Sequence, residues 1–230
     1  DTLEGKPALK RVIPGLPPLS TATGTSDETV RDRQRMLASI DEGVGQILQA
    51  LETTGRLNST ILIFLSDHGY FYGEHGLSVE RRLAYEEAIR IPLLVRYPPL
   101  VKPGLKINPM VLTIDLAPTL RELGGLPASP DVHGKSFVPL LRGENVVLHD
   151  AFLIEHTSDR VFPRVAGLGY QAVRDSRWKY IHYRELPDAD ELYDLLTDPH
   201  ELTNRIGDST ARAALEQLKG KRDAILQQAP

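Results

Sequence analysis

Two hydrophobic rhythms divide this chain. In the first half, apolar residues recur at Val30, Leu37, Ile40, Val44, Ile47, Leu48 and Leu51, the spacing of one face of an α-helix. Ser26 or Asp27 is placed to cap that helix and Gly55 to stop it, with Arg31, Arg33, Arg35, Asp41 and Glu42 on the polar side. Residues 60–65 (Thr-Ile-Leu-Ile-Phe-Leu) form an unbroken β-branched and aromatic run. Such a run suits a strand buried on both faces, as in a parallel sheet between helices. A second strand is predicted over residues 91–97, with Pro92 tolerable near its start, and a third over residues 110–114. A short helix over residues 116–123 then ends at Gly124 and Gly125. Helix alternating with buried strand predicts α/β architecture.

After residue 148 the rhythm shortens. Strands are predicted at residues 151–156, 170–174, 178–183 and 191–195, joined by turns, which implies an antiparallel sheet. A last helix, over about residues 209–227, carries Ala211, Leu215, Leu218 and Ile225 on one stripe. The expected organisation is therefore an α/β domain over residues 1–148 and a small α+β subdomain over residues 149–230. The opening 24 residues, with Pro7, Pro14, Pro17 and Pro18, read as an extended, packed-down loop.

Composition narrows the function. The 230 residues carry 27 Lys plus Arg against 31 Asp plus Glu, a formal net charge of −4, and so no basic field for a nucleic-acid backbone. Hydrophobic residues make up 41% and charged residues 25%, as in an ordinary globular protein. No apolar run is long enough to span a bilayer. With no Cys there is no disulfide, thiol nucleophile or thiolate ligand.

The sharpest chemical feature is Ser66, Asp67, His68 and Gly69 at the carboxyl end of the first predicted strand, where open α/β sheets place their ligands. A carboxylate beside an imidazole there can turn towards one metal ion; alternatively Asp67 caps a turn and His68 packs. Downstream lie Gly73, Glu74, His75 and Gly76, then Glu80, Arg81 and Arg82, then Tyr85, Glu86 and Glu87.

Taken together, the segment resembles the type I, formylglycine-dependent sulfatases of the alkaline phosphatase superfamily. The residues that carry the resemblance begin with Ser39, Ile40, Asp41, Val44 and Gly45 on the long helix, then Ser66 to Gly69 and Gly73 to Gly76. Tyr85-Glu-Glu, Arg90-Ile-Pro-Leu, Ile114-Asp-Leu-Ala-Pro-Thr and His133-Gly-Lys-Ser with Pro139-Leu-Leu follow. Trp178-Lys-Tyr, Glu191-Leu-Tyr-Asp and Asp198-Pro complete the series. Each motif is short; their shared order over about residues 30–205 makes the resemblance specific.

The resemblance implies part of an alkaline-phosphatase-like mixed sheet flanked by helices, followed by an antiparallel-sheet and helix subdomain. It implies a sulfuric ester hydrolase in which Asp67 and His68 match the late pair of metal ligands. Calcium is the usual metal, with manganese or zinc better suited to an imidazole nitrogen. Arg81 falls where many members place a sulfate-contacting Lys, with Arg82 as its rival. His75 is a candidate proton donor, His133 a turn residue, His156 a cleft residue or simply a hydrogen-bonded one, and His182 has no assigned role.

The family's Cys/Ser-x-Pro-x-Arg nucleophile motif and its early Asp-Asp ligand pair are absent from these residues. The expectation is a carboxyl-terminal part of a sulfatase, inactive by itself, with two metal ligands and exposed apolar surface where an amino-terminal half docks. The expected partners are that half, which would supply the formylglycine, and a sulfated small molecule or glycan. Analogy favours a periplasmic, extracellular or lysosomal compartment. The alternatives are a phosphoester or phosphonate hydrolase of the same superfamily, and a non-catalytic binding domain keeping the fold.

Overall fold

The computed structural model describes residues 3–78, 81–158 and 160–228, and shows a mixed α/β chain with antiparallel sheets and helices. In chain order the elements begin with α1 (Pro7–Lys10), α2 (Asp27–Thr53), β1 (Leu62–Leu65), α3 (Glu86–Ile89) and β2 (Leu93–Arg96). α4 (Leu116–Leu123), α5 (Val138–Leu141), β3 (Ala151–His156), β4 (Tyr170–Asp175), β5 (Trp178–Tyr183), β6 (Glu191–Asp194) and α6 (Arg212–Gln228) follow. Two compact units result. One gathers Asp1–Ala38, Ser66–Ile91 and Ala151–Pro230; the other holds Ser39–Leu65 and Pro92–Asp150. The division falls within α2.

The first unit is built on the antiparallel sheet β3-β4-β5-β6. α6 covers one face through Leu215 and Leu218 against Val173, Tyr180 and Leu192. The second core cluster joins Leu9, Phe71, Leu77, Leu83 and Tyr85 to Tyr170, Ile181 and Tyr193. This is why residues 1–38 and 66–91 group with the carboxyl-terminal sheet rather than following the boundary expected at 148/149. The Pro-rich opening is packed down, and it contains a helical turn: α1 starts at Pro7, where the missing N–H costs nothing, and buries Ala8 and Leu9.

The second unit pairs β1 with β2 in antiparallel register, Leu62 opposite Arg96 and Leu65 opposite Leu93. The predicted parallel strand buried on both faces is not found. The cross-strand pair Phe64 and Leu94 is 41% and 61% exposed, because no layer among the described residues covers that face. Ile40, Val44 and Ile47 of α2 are likewise exposed. The strand predicted at residues 110–114 is also absent. The Leu112 N–H, which a ladder would have used, donates instead to the Asp115 carboxylate at 2.8 Å.

Asp115 organises this unit. Fully buried, it also accepts from the Lys135 N–H at 2.8 Å and lies 2.9 Å from His149 Nε2. Its own carbonyl accepts from Thr119 Oγ1, which in turn receives the Phe137 N–H at the edge of the Phe137, Leu140 and Leu141 cluster. The turn after His133 presses so closely that a Cβ on Gly134 would lie 2.0 Å from the Ile114 carbonyl oxygen. His133 itself is exposed.

Candidate functional site

The loop after β1 is held against α3. The Gly69 N–H donates to the Ala88 carbonyl at 2.7 Å, and a Cβ at Gly69 would meet the Glu87 carbonyl oxygen at 1.8 Å. Gly69→Ala is expected to cost about 1–3 kcal/mol through this backbone clash. Thermal melts of the intact protein read that loss, and a variant melting with the wild type would contradict the close packing.

Within the loop, the donors and acceptors are ordered. Asp67 Oδ1 accepts the His68 backbone N–H at 3.0 Å, which holds the carboxyl below its ordinary range. The Ser66 hydroxyl donates to the His68 carbonyl at 2.7 Å. His68 Nδ1 is 2.7 Å from the Gly69 carbonyl, so in the neutral ring Nδ1 carries the proton and Nε2 the lone pair. That Nε2 lies 3.3 Å from Asp67 Oδ2. Both side chains reach solvent, and an ordered pair of acceptors at this spacing is compatible with a shared cation. Donors about 2.0–2.4 Å from one metal and roughly at right angles stand about 3 Å apart. With the ring protonated, the pair is an exposed ion pair screened by solvent. Among the described residues, no group of three or more His, Cys, Asp or Glu side chains gathers to hold a metal. The two donors fit one divalent ion as neighbouring ligands.

The Tyr-Glu-Glu segment faces inward. Tyr85 OH donates to Glu191 Oε2 at 2.8 Å, and Tyr193 OH joins the same oxygen at 2.7 Å. Lys6, fully buried, donates to Tyr193 OH at 2.8 Å and stands 4.5 Å from the Tyr85 and Tyr193 ring centroids. Burial raises the Glu191 carboxyl, only partly offset by Lys6 and the tyrosine hydroxyls, and lowers the Lys6 ammonium. Glu86 is gripped by Arg174 at 2.9 Å and by Lys179 at 3.1 Å. Burial alone would raise its carboxyl, but these two cations outweigh it and hold Glu86 below the ordinary range. Lys179 also meets Glu201 Oε1 at 2.6 Å, while Glu201 Oε2 takes the Glu86 N–H at 2.7 Å.

The lone histidines separate cleanly. His75, at positive φ and 1% exposed, has its ring centroid 4.6 Å from that of Tyr85, tilted by 40°, and lies 3.8 Å from Glu87 Oε2, an interior packing position. His156 sits 5.4 Å from the Tyr170 ring at the end of β3. His182 Nδ1 pairs with Asp190 at 3.0 Å. Arg81 is exposed, whereas Arg82 lies 3.7 Å over the Phe162 ring. Glu80 and Val79 lie outside the described residues.

Sequence reasoning noted the Trp-Lys-Tyr and Glu-Leu-Tyr-Asp motifs without foreseeing that Lys179 and Glu191 meet the Tyr-Glu-Glu segment. Lys6, Glu201 and His149 gave no local signal.

Comparison with known proteins now gives these geometries a context. The family described as N-sulphoglucosamine sulphohydrolase, C-terminal, matches residues 73–228, and the sulfatase family matches residues 13–126. An N-acetylglucosamine-6-O-sulfatase of Bacteroides thetaiotaomicron is 32% identical over 179 residues, 77% of this chain and 32% of that protein. The structure of BT4656 in complex with its substrate D-glucosamine-2-N,6-O-disulfate has a TM-score of 0.82 at 30% identity. That match covers 87% of this chain and 40% of the other. The phosphonate monoester hydrolase of Agrobacterium radiobacter has a TM-score of 0.73 at 29% identity, over 84% of this chain and 40% of that one. The chain spans about a third of the length of the curated relatives it matches. By the extent of these matches and the order of its motifs, this chain belongs to the sulfatase family of sulfuric ester hydrolases, within the alkaline phosphatase superfamily.

Proposed function

We propose that this chain is the part of a sulfatase that supplies two ligands of a divalent metal and a sulfate clamp, in an enzyme cleaving sulfate esters of amino sugars. The observation that carries the reading is the pairing of Asp67 Oδ2 with the lone-pair nitrogen of His68 at 3.3 Å. When bound, a divalent cation would polarise the sulfate oxygens and lower the pKa of a nucleophilic hydroxyl. The residues here do the positioning. The Gly69 carbonyl fixes the His68 tautomer, the way a metal-ligating histidine is oriented by its other nitrogen. The His68 N–H keeps Asp67 ionised, so it presents a charged oxygen. Calcium, the family's usual ion, is the first candidate, and manganese or zinc are the alternatives better suited to one imidazole nitrogen among the donors.

Arg81 is assigned the sulfate. It is exposed and stands at the offset before Tyr85-Glu-Glu where many members of the family place a sulfate-contacting Lys, and a guanidinium offers a forked pair of donors to a sulfate edge. The nucleophile, a formylglycine in this family, and the remaining ligands lie outside these residues, which contain no Cys and no Ser-x-Pro-x-Arg. The chain by itself is therefore proposed to be inactive. The exposed faces of α2 and of β1 and β2 are where the rest of such an enzyme would dock, an amino-terminal half by this reading. Relatives named for N-acetylglucosamine sulfates, and a neighbour whose substrate is a disulfated glucosamine, support an amino-sugar ester.

A second reading, hydrolysis of phosphonate monoesters, draws on the likeness to the Agrobacterium enzyme. Assaying the intact protein on an aryl sulfate, a 6-O-sulfated glucosamine and an aryl phosphonate separates the two. The sulfatase reading expects both sulfates to turn over faster than the phosphonate. Preference for the phosphonate would overturn it.

A further inference from the structure

Among the described residues, one cation near the Asp67–His68 loop pairs with no carboxylate. Arg33, in the amino-terminal part of α2, places its guanidinium carbon 3.6 Å from the ring centroid of Tyr70 and 5.0 Å from that of Tyr72. The two rings stand 6.1 Å apart, tilted by 57°, and both centroids lie within 5.0 Å of the guanidinium carbon. Both belong to the segment that leaves Asp67 and His68. Three residues of chain reach at most about 10–11 Å, which bounds the distance from the Asp67 backbone to that of Tyr70.

Arg33 Nη1 is sealed from solvent and has no hydrogen-bond acceptor. The nearby Asp32 is taken by Arg35 at 2.8 Å, and among the described residues no carboxylate pairs with Arg33. A guanidinium does not escape this by losing its proton, because it stays charged at any physiological pH. Its side chain remains half-buried rather than sealed, so other N–H groups keep an outlet. A partly dehydrated cation, already packed against aromatic rings, loses little further entropy on meeting a planar or tetrahedral oxyanion, and the lowered local dielectric strengthens the contact.

We infer that Arg33, braced by Tyr70 and Tyr72, recognises a second oxyanion of the substrate, a sulfate, sulfamate or carboxylate, beside the ester that Asp67 and His68 serve. The inference rests on the sulfatase reading and deepens it: the substrate class is a sugar with two anionic substituents, and Arg33 selects for the one that is not cleaved.

The test uses the intact protein and two probes, glucosamine 6-O-sulfate and glucosamine carrying sulfate at both the 2-amino and 6-hydroxyl positions. Calorimetry and kcat/KM are compared for wild type, Arg33→Ala and Arg33→Lys. Loss of one charge-assisted contact is expected to shrink the preference for the doubly sulfated sugar roughly tenfold in Arg33→Ala, with partial retention in Arg33→Lys. An unchanged preference overturns the inference, whether or not the melting temperature falls, because a guanidinium that only ties two parts of the protein together would weaken both sugars alike. Failure of the wild type to bind the doubly sulfated sugar more tightly also overturns it. Should neither sugar turn over, the sulfatase reading fails on that count, while the calorimetric ratio still decides the role of Arg33.

Discussion

Asp67→Ala and His68→Ala are each expected to lower kcat/KM of the intact enzyme on a sulfate ester by at least about a hundredfold, the upper range for disturbing even the groups that orient metal ligands. Stability should barely move. Asp67 is 84% exposed at its side chain, and surface substitutions of this kind usually change stability little. Asp67→Asn is the sharper variant, because it keeps an oxygen to accept the His68 N–H while removing the charge that a cation would need. Metal content per protein, measured after gel filtration, should fall in parallel with activity, and added calcium or manganese should restore part of it. Full activity in Asp67→Asn would remove the carboxylate from the metal site and with it the central claim about this loop.

Lys179→Met is expected to produce the largest loss of stability, about 3–5 kcal/mol, because it leaves buried Glu201 without its cation and Glu86 with Arg174 alone. Lys179 is fully buried, meets Glu201 at 2.6 Å and Glu86 at 3.1 Å, and donates to the Ala84 carbonyl at 2.7 Å. Arg174 still reaches Glu86, so Glu201 bears most of the cost. Methionine preserves the length of the side chain and isolates the charge from the packing. The pH dependence follows from the sign of each shift. Glu86 has a folded-state pKa below the ordinary glutamate value of 4.5, so its contribution is fully present above that value and is lost as pH falls through the folded one. Glu201 and Glu191 are raised by burial, so theirs are present below 4.5 and are lost as pH rises through their folded values. Removing Lys179 raises both of its partners, and the penalty should therefore be largest at neutral pH and shrink towards pH 4, where the carboxyls can protonate. Denaturant unfolding at the two pH values measures this. An equal loss at both would show that packing, not charge, is what Lys179 provides.

These predictions depend unequally on what the sequence discloses. The 3.6-residue period of α2, the turn-linked strands β3 to β6 and the stripe of α6 were legible because each is a local pattern, set by neighbours a few residues away. Ser26 does cap α2, accepting the Thr29 N–H at 3.2 Å, and Gly55 stops it at φ +69°, as local chemistry requires. The adjacency of Asp67 and His68 was legible for the same reason, and so was the need for Gly69 at the turn. The strand predicted at residues 110–114 failed because periodicity does not register a competing acceptor: one buried carboxylate, Asp115, takes the Leu112 N–H. The run at residues 60–65 was read as doubly buried because apolar content signals what a strand prefers, not which layers are there to cover it.

The sequence alone determined the helices and strands with a local period, the family motifs in their order, and the identity of the two candidate ligands. Tertiary structure alone decided which charges meet. Lys6 finds Tyr193 across 187 residues, Lys179 finds Glu86 across 93, and Arg33 finds Tyr70 and Tyr72 on a separate segment. It also decided that Glu86 and Glu87 face inward and that one ring nitrogen of His68 is turned to its neighbour's carboxylate. Such pairings arise because desolvated charges must be matched wherever the fold brings them together, and no window of neighbouring residues carries the distance between segments that the folded chain makes short.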